Sequence, residues 1–215
     1  MDLNLTHPII QSFFLLSASA FIPILLVSVT CFTRYVIVIS LLRTALGLQQ
    51  TPPNIVVISI ALFMTIFTMT PVYHDIKESS YDLYKSGEIT ESEAIDSGLE
   101  TFSSFLISKT AEKDYYFIQS LREYKNSDNE VKESIVDDLT TLIPAFMLSE
   151  LKAAFQFAFV IFLPFLLIDL IVASVLMALG MIMLPPISIS LPVKLLIFVL
   201  IDGWTLLVGS LIRGF

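Results

Sequence analysis

The sequence predicts an all-α, membrane-type helical protein: two long hydrophobic helical hairpins joined by an acidic helical insert. Three observations lead there. Hydrophobic side chains make up 55% of the 215 residues and charged ones only 15%, whereas a soluble domain carries about 25% charged residues. Mean hydropathy is +0.82, too high for a water-facing globule of this size. The charge is also segregated: residues 75–138 hold 7 Lys/Arg and 16 Asp/Glu, a net of −9, while the remainder holds 5 Lys/Arg and 4 Asp/Glu. These patterns divide the chain into 1–73 (first hairpin), 74–142 (acidic insert) and 143–215 (second hairpin).

Residues 9–29 are apolar apart from Gln11, Pro23 and small hydroxyl side chains, about the length that crosses a bilayer core. A cleavable signal peptide competes with this reading, since Ser17-Ala18-Ser19-Ala20 loosely resembles a cleavage site. The first residues carry no Lys or Arg and the apolar run continues past Ala20, so a retained helix is favoured. Arg34 and Arg43 then bracket another apolar stretch, and GLQQTPPN (residues 47–54) breaks the helix because Pro52 and Pro53 remove donors and restrict their neighbours. Residues 55–72 form a second apolar helix closed by Pro71.

Within the insert, apolar residues recur at helical spacing (Leu99, Phe102, Leu106; Phe117, Leu121, Tyr124), which predicts two or three short amphipathic helices. Residues 143–179 are again apolar, with Pro144, Pro164, Glu150, Lys152 and Asp169 inside. GMIMLPPISISLP (residues 180–192) is a Met- and Pro-rich turn, and residues 193–212 form the last helix. Arg34, Arg43 and Lys194 flank the two hairpin turns. The excess of basic residues on cytoplasmic loops places both turns inside, with the insert and both termini outside.

Charges within apolar segments are costly, from about 2.5 kcal/mol upward at a bilayer centre. Glu150 and Lys152 are two residues apart and so do not face each other on a helix; each needs a partner elsewhere. Counting from a turn at 180–192, Asp169 and Asp202 share a height, while Lys194 lies about 13 Å away along the axis. An Asp169–Lys194 pair between neighbouring subunits is therefore expected, which favours a ring. Met177, Met181 and Met183 cluster at the second turn; unbranched Met either fills gaps or, in several copies about an axis, forms an adaptable seal.

Catalytic patterns are missing. His7 and His74 are the only histidines and Cys31 the only cysteine, so neither metal-ligand spacing nor an intrachain disulfide is available. There is no H-E-x-x-H, G-x-S-x-G or phosphate-cradling glycine loop. Without a basic stripe, nucleic acid is an improbable partner. The expectation is a protein that is not an enzyme, with no cofactor and no metal.

Long stretches resemble a known family. FTRYVIVISLLRTALGLQQTPPN (32–54), ALFMTIFTMTPV (61–72), LSELKAAFQFAF (148–159), LPFLLIDLIVASVLMALGMIMLPP (163–186) and LPVKLLIFVLIDGWTLLVGSL (191–211) closely resemble the FliP family of flagellar biosynthetic proteins. They are also similar to its counterpart in type III secretion injectisomes, SctR. EAIDSGLETFSSFLISKT (93–110) and the late LLVGSL look more flagellar. The resemblance implies a core subunit of a protein export gate in the bacterial inner membrane and flagellar basal body. About five copies would assemble with FliQ-like and FliR-like subunits into a helical pore that conducts unfolded export substrates. It further implies a complex largely above the bilayer plane, its apolar helices covered by neighbouring subunits.

On that resemblance Met181, Ile182 and Met183 match a hydrophobic pore gasket, with Ile182 interrupting the family's usual Met run. Arg34, Glu150, Asp169 and Lys194 match polar positions, expected to pair between subunits as Arg34–Glu150 and Asp169–Lys194. Flagellar members often carry a cleaved signal peptide, and none is evident in the sequence. The alternative function is a small ion- or proton-coupled transporter using Asp169 and Asp202 as a relay. A receptor whose insert is merely anchored by the helices is a third.

Overall fold

The computed structural model describes residues 8–125, 135–181 and 183–215, and among these it contains helices and no strand. The first apolar run is α1 (Pro8–Ser28), followed after a short break by α2 (Phe32–Ala45). Ser19–Ser28 and α2 meet at 66°. Hydroxyls take up the carbonyls released at the break: Thr30 Oγ1 donates to the Leu26 oxygen at 2.7 Å and Thr33 Oγ1 to that of Val27 at 3.0 Å.

α2 is the centre of the molecule. Its buried residues Arg34, Tyr35, Val38, Ile39, Leu42 and Ala45 recur at spacings of three and four, the signature of one helical face against a core. That stripe packs against α3 (Asn54–Ile76) and the long α7 (Ile135–Ala178). The main cluster joins it to Ala61, Met64, Ala154, Phe165, Phe198, Leu207 and Leu211. Gly47 ends α2 at φ 83; the Gly47 and Leu48 amides return to the Thr44 and Arg43 oxygens, a left-handed cap that glycine adopts without strain. Arg43 then staples the turn, donating to Asn54 Oδ1 at 2.7 Å and the Pro52 oxygen at 3.2 Å.

Pro71 does not close α3, contrary to expectation. The helix runs to Ile76, continues as a π-helical turn (Lys77–Asp82) and ends in α4 (Leu83–Ser86). One lost backbone bond is outweighed by packing on α5 (Glu91–Lys109), where Ser80 Oγ donates to the Ala94 oxygen at 2.7 Å and Ser97 Oγ to the Ser79 oxygen at 2.9 Å. With α6 (Glu112–Lys125) these helices form the insert, and α5 and α6 both lie on α7. The insert boundary drawn at 142/143 falls inside α7, which begins at Ile135; nothing in residues 135–143 interrupts a helix, and Pro144 and Pro164 are both accommodated within it.

The expected last helix is two: α8 (Ile187–Leu200) and α9 (Gly203–Arg213), meeting at 65°. Asp202 adopts φ 52, ψ 52, and a Cβ on Gly203 would lie 2.3 Å from the Phe198 ring. A left-handed residue beside an obligatory glycine breaks what apolarity alone reads as continuous.

Two described helices are long and apolar enough to cross a membrane, or up to four spans if each bent pair counts as one. Only 22% and 11% of the most apolar windows of the two long ones is buried. Phe63, Phe67, Phe159, Leu170 and Leu200 are among the exposed side chains. A surface of that kind needs cover from lipid or from other protein.

Candidate functional site

The Met-rich turn has a rigid base. Gly180 takes φ 76 at the end of α7, with its amide on the Met177 oxygen and the Met181 amide on that of Leu176, both at 3.0 Å. This paired cap fixes the direction of the chain as it leaves the helix. Met183 is then 99% exposed and Met181 about half so, flanked by exposed Met177 and Leu179; Ile182 lies outside the described residues. The first hairpin's turn sits alongside: Gly47, Leu48 and Gln49 share a cleft with Ile187, Ser188, Leu191 and Pro192. Both turns therefore occupy one end of the molecule.

The four charged residues, expected to pair between subunits, pair within this one chain as Arg34–Glu150 and Lys194–Asp169. Arg34 Nε donates to Glu150 Oε2 at 2.8 Å and its Nη2 to Oε1, the two-pronged geometry of a guanidinium on a carboxylate. Nη1 adds a bond to the Gly214 oxygen at 2.8 Å, and the guanidinium lies 5.1 Å from the Phe215 ring centre. Glu150 is 1% exposed, so the pair is sealed between α2 and α7. Such a pair contributes geometry more than stability, because desolvation offsets most of the attraction.

Lys194 Nζ donates to Asp169 Oδ2 at 2.6 Å and to the Ala45 oxygen at 2.9 Å. It thus joins α8 to α7 while satisfying a free carbonyl at the C-terminal end of α2, where a cation is favoured. The expected 13 Å mismatch came from placing the turn at 180–192. The turn ends at Pro186, and Pro192 lies inside α8. Asp169 is nine residues before the end of α7 and Lys194 seven after the start of α8, which puts both about 10–14 Å from the turn. Asp202, placed level with Asp169 by that same count, instead occupies the exposed α8–α9 break.

A third polar cluster supplies the partner that Lys152 was expected to need, from residues the sequence reading did not single out. Lys152, one residue beyond Glu150's other neighbour, turns to the insert and donates to Asp114. Ser149 Oγ donates to Asp114 Oδ2 at 2.9 Å and accepts from the Ala111 amide at 3.0 Å. Asp114 is 3% exposed. Burial alone would raise its carboxyl, but the bonds from Lys152 and Ser149 outweigh burial and hold it below the ordinary value of 3.8. The available signal was an acidic residue in the first turn of a helix that lacks a Ser or Thr cap of its own.

Among the described residues no group of three or more His, Cys, Asp or Glu is placed to hold a metal ion. The arrangement consists of an exposed methionine turn at one end, two ion pairs tying α7 to α2 and α8, and an insert clasped to its side.

The FliP family model matches residues 15–211. Flagellar biosynthetic protein FliP of Rhizobium meliloti (strain 1021) is 44% identical over the whole of this chain and 87% of its own length. That of Bacillus subtilis (strain 168) is 46% identical over 94% of this chain and 89% of its own. The Pectobacterium carotovorum subsp. carotovorum protein of the same name is 45% identical over 96% and 78%. Full-length identity at this level, on an all-helical apolar fold, leaves one conclusion: the chain belongs to the FliP family of flagellar biosynthetic proteins.

Proposed function

We propose that this chain is a core pore-forming subunit of the flagellar protein export gate. Several copies, with FliQ-like and FliR-like subunits, wrap a shared axis and conduct unfolded export substrates across the inner membrane. The observation that carries this is Met183, fully exposed on a turn whose base is fixed by the Gly180 cap. A monomer gains nothing from presenting such a side chain to water, whereas a ring of them closes an apolar constriction that deforms around varied cargo. The uncovered faces of α3 and α7 fit the same reading, since neighbouring subunits bury them. The turn with Met181, Ile182 and Met183 is then the gasket, and the Lys194–Asp169 pair sets its height by fixing α8 against α7.

The gate assembled with its partner subunits in proteoliposomes tests the reading. Met181→Ala with Met183→Ala should leave co-purification intact and raise ion leakage several-fold. Unchanged leakage through a fully assembled gate removes the gasket from the turn.

The relay alternative has less support. The Asp169 carboxylate is engaged by Lys194, and Asp202 lies at a helix break.

A further inference from the structure

The two insert helices begin differently. α5 caps itself: Thr90 and Glu93 form a reciprocal box, with the Thr90 amide 2.8 Å from Glu93 Oε2 and the Glu93 amide 3.4 Å from Thr90 Oγ1. α6 has the acidic residue at the equivalent position, Asp114, but the residue before the helix is Ala111, which has no side-chain oxygen to offer. Ser149 of α7 carries out the other half of such a box, bridging the Ala111 amide to the Asp114 carboxylate as the Glu93 carboxylate does directly for Thr90. Its hydroxyl accepts from the Ala111 amide and donates to Asp114, while Lys152 neutralises the carboxylate.

We propose that Asp114, Ser149 and Lys152 form a latch in which α7 supplies the N-terminal cap of α6, so that the helix and its docking on α7 are made or lost together. Two further contacts of α6 are polar as well. Tyr115 donates to Asp138 Oδ1 at 3.1 Å and Arg122 to Thr141 Oγ1 at 3.0 Å. Water replaces such bonds at small net cost, unlike the apolar stripe that holds α2. α6 is therefore the part of the insert that leaves α7 without unfolding it, exposing the Leu106–Leu142–Phe146 cluster on which Tyr115 packs. The latch is independent of whatever passes the methionine turn.

Hydrogen exchange on the purified full chain in detergent, read over residues 112–125, tests this with two substitutions of nearly equal shape. Ser149→Thr keeps the hydroxyl and should exchange as the parent does. Ser149→Val lacks it and should speed exchange in α6 on the order of tenfold, the usual effect of losing a cap, with α2 and α5 unchanged. Asp114→Asn should fall between them. Equal behaviour of the Thr and Val variants overturns the latch, as does an acceleration spread evenly over α2, α5 and α7.

Discussion

The α1–α2 pair turns by 66° and the α8–α9 pair by 65°, and each brings one basic residue to α7, Arg34 to Glu150 and Lys194 to Asp169. The means differ. The first bend has ordinary backbone and is closed by Thr30 and Thr33 hydroxyls. The second needs Asp202 at positive φ and a glycine pressed against Phe198. The inner arms differ too: α2 buries a full stripe, whereas α8 buries only Ser190, Lys194 and Phe198. The charges follow the packing. Side chains of the first pair are 10% and 1% exposed, while Asp169 in the second is 46% exposed. Two bends alike in angle are therefore unlike in what they hold: the α1–α2 bend anchors the subunit, and the α8–α9 bend leaves its carboxylate open to whatever covers α7.

The largest expected effect is at the sealed pair. Glu150→Gln strands the Arg34 guanidinium in an apolar interior and should cost about 3–5 kcal/mol, read as a fall in the unfolding midpoint in mild detergent. Reversing Glu150 to Arg should block folding, and adding Arg34→Glu should restore it only in part, because the contacts to Gly214 and Phe215 stay lost. Parent-like unfolding of Glu150→Gln would erase the distinction between the two regions.

Next comes the second bend. Gly203→Ala pushes a methyl into the Phe198 ring and should cost about 1–3 kcal/mol, with Phe198→Leu relieving it in a double-mutant cycle. No relief would mean that the bend is set elsewhere. Asp169→Asn should cost less, about 1 kcal/mol at most, since half of the carboxylate is open and Lys194 keeps the Ala45 oxygen. A loss as large as that at Glu150 would show the open pair to be the anchor.

The smallest effect is on acidification. Asp114 is held below its ordinary value of 3.8, so its contribution to docking is complete above that pH and is lost as pH falls through the lower folded value. A spin-label distance between α6 and α7 should lengthen only below about pH 3.8, and Asp114→Asn should remove the pH dependence. The effect on docking is small because the apolar cluster beneath, Leu106, Leu142 and Phe146, does not titrate.

Sequence reading was strongest where a rule is local. Helical structure throughout, long apolar segments and a break after Ala45 and after Ala178 all depend on residue type within a short window, and each is present among the described residues. Proline misled it at Pro71 and Pro192, where helices continue because tertiary contacts outweigh one missing bond. The latch was invisible for a related reason: Asp114 and Ser149 are 35 residues apart, and nothing in either neighbourhood announces the other.

By itself the sequence determined that the protein is helical and apolar, that its few interior charges need partners, and that methionines crowd one turn. Only the tertiary structure decided which charge meets which inside the chain. Periodicity fixes the face on which a side chain lies, but the height at which helices meet depends on where each one starts, and a few residues' error in a turn displaces an ion pair by about 10 Å.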